Sequence, residues 1–256
     1  MTSPHLFIDS HAHLSLFPKE EIDAILSRAL EKRVERIINV CTDPAALRQG
    51  WNMREKYPWI SLAGATPPHD VEKENDAFSF FSQAAMEKKI VAIGESGLDY
   101  HYHLYSKEKQ KELLIRYFHL AMRADLPIIL HCRKAFRDLL DIAKREYPST
   151  KALLHCFTGE KQEAKEALDL GWKISFSGIV SFANTALKEV ASYIPKEQLL
   201  IETDAPYLAP VPHRGKKNEP SFLPDVARAL ADIRKETIEV IAKATRENTL
   251  SFFSLV

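Results

Sequence analysis

The run Ile8-Asp9-Ser10-His11-Ala12-His13 begins as an apolar strand and ends in two histidines. Four later segments have the same form, an apolar β-like run followed by His, Glu or Asp: Ala92-Ile93-Gly94-Glu95, Ile129-Leu130-His131, Leu153-Leu154-His155 and Leu200-Ile201-Glu202-Thr203-Asp204. In barrels built from parallel strands and helices, functional side chains lie at the C-terminal ends of the strands. The five segments therefore predict a barrel whose mouth carries imidazoles and carboxylates able to hold metal.

Strand-like and helix-like segments alternate along the chain. The predicted strands are Leu6–Asp9, Arg36–Cys41, Ile60–Ala63, Ile90–Gly94, Pro127–His131, Ala152–His155, Lys173–Phe176 and Leu199–Glu202. The predicted helices are Glu20–Lys32, Pro44–Lys56, Phe78–Lys88, Lys107–Ala124, Ala135–Arg145, Lys161–Leu170, Asn184–Ser192, Phe222–Ile233 and Thr237–Phe253. Strict alternation predicts a parallel sheet, and eight repeats favour closure into one (β/α)8 TIM-barrel domain over residues 1–256. An open doubly wound sheet is the alternative, but it explains less well why the ligand-bearing strand ends would meet.

Length, charge and cysteine content narrow the class of protein. The 256 residues suit a TIM barrel, which typically needs about 250. Lys+Arg and Asp+Glu both number 35, which argues against a protein that coats long duplexes but not against binding of a strand end in a basic pocket. No signal peptide and no membrane span are expected. The three cysteines lack CxxC spacing, which favours a reducing, cytoplasmic location.

The side chains at the strand ends predict a divalent-metal centre. His11 and His13 are two residues apart on a strand, so both project to the same face. An isolated HxH also fits a polar strand end, but four histidines and two carboxylates in one barrel mouth would be costly to leave unpaired. Because no thiolate is offered, Zn²⁺, Mn²⁺ or Mg²⁺ suits the ligand set.

Six candidate ligands are too many for a single catalytic zinc ion, which favours two ions. Glu95 is the expected bridge because its strand lies in the middle of the strand order. The remaining ligands divide into two sets, one of His11, His13 and Asp204 and the other of His131 and His155. Asp9 is expected to accept a hydrogen bond that orients a histidine rather than to bind metal.

Five motifs, in the same order along essentially the whole chain, resemble those of TatD-type metal-dependent deoxyribonucleases of the amidohydrolase superfamily. They are Phe7-Ile8-Asp9-Ser10-His11-Ala12-His13, Ile93-Gly94-Glu95-Ser96-Gly97-Leu98-Asp99-Tyr100, His155-Cys156-Phe157-Thr158-Gly159, Ile174-Ser175-Phe176-Ser177-Gly178 and Glu202-Thr203-Asp204-Ala205-Pro206-Tyr207-Leu208-Ala209-Pro210, the last continuing through Arg214-Gly215-Lys216 to Asn218-Glu219-Pro220. One position departs from the family pattern. After the third strand the family usually has G-x-H-P, whereas Thr66 stands here in place of the histidine and His69 is a partial replacement.

The resemblance implies a TIM barrel with two metal ions and 3′-to-5′ exonuclease action on DNA. The family's metal positions fall on His11, His13, Glu95, His131, His155 and Asp204. The expected mechanism uses a metal-bound hydroxide positioned by Asp204, which accepts its proton, so Asp204 and Glu95 are the expected catalytic residues. One alternative is an amidohydrolase acting on a small ester, lactone or amide. A non-catalytic adaptor is disfavoured because every ligand position is occupied by a suitable residue.

Cations and aromatic residues near the strand ends are candidates for substrate binding. Arg133 follows His131, while Arg214, Lys216 and Lys217 lie in the long loop Ala205–Pro220, and all four either contact phosphate oxygens or are solvated surface. The aromatic candidates for base stacking, which also fit ordinary loop packing, are His101, Tyr102, His103 and Tyr105. The expected partner is DNA, at single-stranded ends. The resident metal, the preference for DNA over RNA and the oligomeric state stay open.

Overall fold

A computed structural model describes residues 6–73, 77–102, 104–183 and 186–255. Within these residues lie eight strands: β1 (Phe7–Ala12), β2 (Val34–Cys41), β3 (Ile60–Gly64), β4 (Ala92–Asp99), β5 (Ile128–Arg133), β6 (Ala152–Leu154), β7 (Lys173–Phe176) and β8 (Leu199–Ile201). The helices are α1 (Lys19–Glu31), α2 (Pro44–Lys56), α3 (Ala77–Met86), α4 (Lys107–Ala124), α5 (Phe136–Glu146), α6 (Lys161–Asp169), α7 (Leu187–Tyr193), α8 (Leu223–Arg234) and α9 (Ile238–Phe252). Each strand pairs in parallel with the next, from β1 to β8. The predicted TIM barrel is confirmed.

The barrel closes between β1 and the segment just beyond β8, where three candidate ligands lie. The backbone N–H of Asp204 donates to the carbonyl of His11 at 2.9 Å, and that of His13 donates to the carbonyl of Ala205 at 2.7 Å. Ala12 and Ala205 form a parallel bridge. The first and last strands are therefore joined at the mouth by the segments that carry three of the predicted ligands.

Two apolar layers hold the barrel together. The interior is filled by small and branched side chains from the strands, packed with two residues that follow α9: Ile38, Val40, Ala63, Ala92, Ile129, Leu153, Leu200, Phe253 and Leu255. A larger cluster lies between the strands and the outer helices. Helix α5 shows how a helix joins it, because Phe136, Leu139, Leu140 and Ala143 recur at helical spacing and are all buried. No helix of the described residues is long and apolar enough to cross a membrane.

The predicted elements overlap the observed ones, and the largest difference is in β4. Its predicted end was Gly94, but the strand continues to Asp99 and pairs with β5 up to Arg133. Gly97 makes this extension possible because a Cβ there would lie 1.9 Å from the carbonyl oxygen of His131. Inside β4, this glycine permits close approach of the two strands. The predicted start of the seventh helix, residues 184–185, lies outside the described residues.

Candidate metal centre

Three of the predicted ligands meet at the seam between β1 and β8. His11 Nε2 lies 3.1 Å from His13 Nε2. The Oδ1 atom of Asp204 lies 3.8 Å from the first of these nitrogens and 3.6 Å from the second. Asp204 has a positive φ of 56°, a conformation that Asp tolerates better than most residues, and its backbone N–H is held by His11.

Glu95 connects this group to the histidines of β5 and β6. Its Oε1 atom lies 2.7 Å from His131 Nδ1 and 3.1 Å from His155 Nε2. Its Oε2 atom lies 3.7 Å from His11 Nε2 and 3.6 Å from His13 Nε2. One carboxylate therefore faces a histidine pair with each oxygen, as a bridging ligand requires.

The ring nitrogens that face inward are those able to bind a cation. His13 Nδ1 lies 3.0 Å from the carbonyl of Val40, and a carbonyl only accepts, so Nδ1 carries the proton and leaves Nε2 as a lone pair. His131 and His155 have a carboxylate at each ring nitrogen, Glu95 at the inner one and Asp99 or Glu202 at the outer one, so a cation beside Glu95 would take the place of the inner proton. Imidazole nitrogens and carboxylate oxygens thus converge at one point. This donor set fits divalent ions.

The pKa shifts show that the cluster attracts positive charge. Burial by itself raises the pKa of Glu95, but His155 and His131 more than offset it and hold the pKa well below its ordinary value. Burial lowers the pKa of His155, yet Glu95 and Glu202 reverse the sign and raise it well above the ordinary value. For His11, burial and its histidine neighbours act together and lower the pKa. Protons and metal ions would compete for the same nitrogens.

Comparison with known proteins gives the family. A family model described as TatD related DNase matches residues 8–254. The chain belongs to the TatD family. It is 37% identical, over 98% of its own length and 100% of the relative, to a Bacillus subtilis (strain 168) protein named uncharacterized metal-dependent hydrolase YabD. Membership of this family, whose matching relatives are named metal-dependent hydrolases, makes the chain a metal-dependent hydrolase.

Two further TatD proteins are close in sequence or structure. A Pantoea ananatis protein named 3′-5′ ssDNA/RNA exonuclease TatD is 33% identical, over 91% of this chain and 94% of the relative. The crystal structure of YJJV, a TatD homolog from Escherichia coli K12, superposes with a TM-score of 0.92 at 32% identity and covers 98% of each chain. The similarity therefore extends from sequence to the whole barrel.

Asp9 is a buried acceptor beside the candidate ligands. Its carboxylate accepts hydrogen bonds from the backbone N–H and the hydroxyl of Thr203, and a longer one of 3.3 Å from the backbone N–H of His11. Among the described residues Asp9 bonds backbone and hydroxyl groups beside two candidate ligands, one of them His11, and no imidazole; that it orients a histidine stays a prediction. Burial raises the pKa of Asp9 to about 7, despite the hydrogen bonds from Thr203.

Thr66 stands where the family usually has a histidine, and His69, the predicted partial replacement, lies nearby. Thr66 is buried, and its backbone N–H and hydroxyl both bond the Tyr117 hydroxyl. His69 lies beside the site, with its ring centroid 5.3 Å from that of His131 and its Nδ1 3.9 Å from Asp99 Oδ2. His69 thus presents an imidazole to this side of the mouth.

Of the predicted substrate-binding cations, Arg133 ends β5 and the other three lie in the loop after β8, and three of the four pack on aromatic rings. Arg133 lies over Tyr102 at 5.6 Å, and Arg214 lies over Phe182 at 4.1 Å. Lys217 lies over Phe17 at 4.4 Å, and its Nζ is also 3.3 Å from Glu21 Oε2. Lys216 is exposed and has no side-chain partner within the described part of the chain. Of the proposed stacking residues, Tyr102 is exposed, and His103 lies outside the described residues.

The long loop after β8 is anchored at its far end. The side-chain amide of Asn218 donates to the carbonyls of Thr203 at 2.8 Å and of Tyr207 at 2.5 Å, on either side of Asp204. Glu219 forms a two-pronged ion pair with Arg28 of α1, at 2.8 Å and 2.5 Å. The segment that carries Asp204 is therefore fixed by contacts at both ends.

Three site residues were given no role on the basis of the sequence. Asp99 lies 3.1 Å from His131 Nε2, Glu202 lies 3.3 Å from His155 Nδ1, and Asn218 holds the loop. A signal existed for the first two. Asp99 is four residues after Glu95, and Glu202 is two residues before Asp204, so strand alternation places each on the side of a predicted ligand.

Proposed function

We propose that this TatD protein is a divalent-metal-dependent phosphodiesterase that removes nucleotides from the 3′ ends of single-stranded DNA. The observation that carries the proposal is the geometry of Glu95, whose two oxygens face two separate histidine pairs. Such a carboxylate suits a pair of ions, and paired ions recur in enzymes that displace groups at phosphorus. The exonuclease name of the Pantoea ananatis relative supports the choice of substrate and polarity.

The six predicted ligands would hold the two ions, with Glu95 between them. The ions would supply positive charge beside the phosphoryl oxygens and a water of lowered pKa. Asp204 would accept the proton of the attacking water, because its side chain is 12% exposed and so reaches the mouth while its neighbours are more deeply buried. His11 and His13 would position that carboxylate.

Side chains around the barrel mouth would bind the nucleic-acid strand. Arg133 and Arg214 are exposed cations that could pair with phosphates, and each lies on a ring that keeps its guanidinium at the mouth. The Tyr207 ring is 53% exposed and lies 6.1 Å from the ring of His13, so a terminal base or sugar could pack on it next to the ligands. A splayed single strand can present its bases to such rings, whereas a stacked duplex cannot.

The test compares labelled strands with other substrate classes. Metal-depleted protein is reloaded with Mg²⁺, Mn²⁺ or Zn²⁺ and given 5′-labelled and 3′-labelled single strands of DNA and RNA, beside esters, lactones and amides. We expect a ladder of shortening products from the 5′ label and immediate release of labelled mononucleotide from the 3′ label. Turnover confined to the ester or amide set would replace the proposal with a small-substrate hydrolase.

A double substitution, His131→Ala with His155→Ala, is the control for contaminating nucleases. It removes two candidate ligands from one histidine pair, so strand degradation should fall to background at equal protein concentration. Degradation that persists in this variant would come from another protein in the preparation.

A further inference from the structure

The two histidine pairs, His131 with His155 and His11 with His13, differ in the groups that contact the ring nitrogens facing away from Glu95. His131 Nε2 lies 3.1 Å from Asp99 Oδ2, and His155 Nδ1 lies 3.3 Å from Glu202 Oε1. Both carboxylates are buried, with 1% and 0% of their side chains exposed. Each is also held in place, since Asp99 accepts the backbone N–H of His101 at 2.8 Å and Glu202 accepts that of Cys156 at 2.7 Å.

In the pair His11 and His13, the Nδ1 atoms contact no carboxylate among the described residues. His13 Nδ1 faces a neutral carbonyl, that of Val40. His11 Nδ1 is buried and has no hydrogen-bond partner among the residues that the structure describes. Carboxylates behind metal-binding histidines fix the tautomer and the ring orientation, and their loss typically weakens metal binding by about 10–100-fold.

We propose that Asp99 and Glu202 are positioning residues that make the His131–His155 position the tighter of two ion sites, so that it fills before the His11–His13–Asp204 position. The inference rests on the proposed two-ion centre. Its physical basis is preorganisation: Asp99 and Glu202 hold the outer nitrogens of His131 and His155 and so aim the inner nitrogens at Glu95, whereas Nδ1 of His11 has no hydrogen-bond partner among the described residues to hold its ring.

Calorimetric titration of the metal-free protein with Mn²⁺ tests the order. We expect two separate binding steps, of which His13→Ala removes the weaker and leaves the tighter. Two equal steps, or loss of the tighter step in His13→Ala, would overturn the order while leaving the two-ion centre intact. Binding of fewer than two ions would instead overturn the centre itself, and the inference with it.

Asp99→Asn and Asp99→Ala separate tautomer control from mere packing. In Asp99→Asn, the oxygen stays on the His101 N–H, so the amide donates to His131 Nε2 and moves the ring proton to Nδ1, the atom that faces Glu95. In Asp99→Ala the ring is free to take either tautomer. The tighter step should therefore weaken by about 10–100-fold in the Asn variant and by less in the Ala variant.

A spectroscopic readout and a matched variant complete the test. Nitrogen NMR of the metal-free protein, above the pKa values of the site histidines, should show the His131 proton on Nε2 in the parent and on Nδ1 in Asp99→Asn. Glu202→Gln is the conservative variant, because its oxygen can still accept from Cys156 and His155, so the tighter step should change less than in Asp99→Asn. Equal losses in both Asp99 variants, or an unmoved proton, would overturn the role of Asp99.

His69→Ala excludes a different role for Asp99. The side chains of His69, Asp99 and His131 lie close enough to hold an ion of their own. We expect His69→Ala to leave both Mn²⁺ steps unchanged, because Asp99 is used to orient His131. Loss of a bound ion in this variant would show that Asp99 is itself a ligand and would overturn the proposal.

Discussion

At the scale of single residues, Asp204 is the proposed proton acceptor and Glu95 the proposed bridging ligand. Glu95 is enclosed by imidazoles, which keep its pKa low and leave it little access to substrate. Asp204 lies at the edge of the cluster, and its position comes from the backbone: its N–H donates to His11, and its carbonyl accepts from Tyr207 at 2.9 Å. A change of the Asp204 carboxyl group should therefore alter chemistry more than structure.

Asp204→Asn should separate the proton-accepting role from the architecture. Asn keeps the shape and one oxygen ligand but loses the basic oxygen, and general-base groups typically contribute about 10²–10⁴-fold to rate. We expect turnover of a 3′-labelled oligonucleotide to fall by that order while bound metal and the melting temperature stay near those of the parent. Near-normal turnover would remove Asp204 from the base role.

The ligands could be predicted from the sequence because His, Glu and Asp at the ends of apolar runs are a local signal. The residues that hold these ligands in position were harder to predict. Asp99 was missed because the fourth strand was expected to end at Gly94, and only the pairing with β5 shows that it continues to Asp99. Asn218 lies 15 residues beyond Thr203 along the chain, and no local pattern indicates which carbonyls a loop amide will reach.

At the scale of elements, the loop after β8 combines an anchored end with an exposed basic run. Asn218 and Glu219 tie its far end to the barrel and to α1. From the sequence, the cations of this loop were expected to bind phosphate alike, but in the structure they have different partners. Lys217 is paired with Glu21, whereas Lys216 has no side-chain partner among the described residues and Arg214 rests on a ring.

The loop cations should therefore contribute unequally to strand binding. Each phosphate contact on a single strand contributes about 0.7 to the slope of log affinity against log salt. Arg214→Ala combined with Lys216→Ala should weaken oligonucleotide binding and flatten that slope by about 1.4, whereas Lys217→Ala should change it little. Fluorescence anisotropy with a labelled single strand, in metal-free protein over a salt series, measures both.

The neighbouring lysines serve as each other's control, since they differ in partner and not in charge. If Lys217→Ala flattens the slope by about 0.7, as the loss of one phosphate contact would, the ion pair with Glu21 does not hold Lys217 away from phosphate. If no variant changes the slope, the basic run is solvated surface and phosphate recognition lies elsewhere on the rim.

At the scale of the whole molecule, the candidate ligands come from five of the eight strands and meet where the barrel closes. The seam depends on backbone hydrogen bonds from Asp204 and His13, both of which also belong to the site. Ions bound there would draw together β1, β4, β5 and β6 and the segment after β8. The unfolded chain cannot assemble this set, so binding should be coupled to folding.

Metal removal should therefore lower the stability of the whole barrel. A ligand that binds only the folded state stabilises it by about 2.7 kcal/mol at a concentration 100 times its Kd. For a chain of this size about 1 kcal/mol corresponds to about 2–4 °C, so we expect chelator to lower the Tm by about 5–11 °C from the saturated value. The His131→Ala, His155→Ala protein should lose most of the difference. An equal shift in that variant would place the stabilising ion outside the proposed centre, because a site stripped of two ligands cannot keep its full binding free energy.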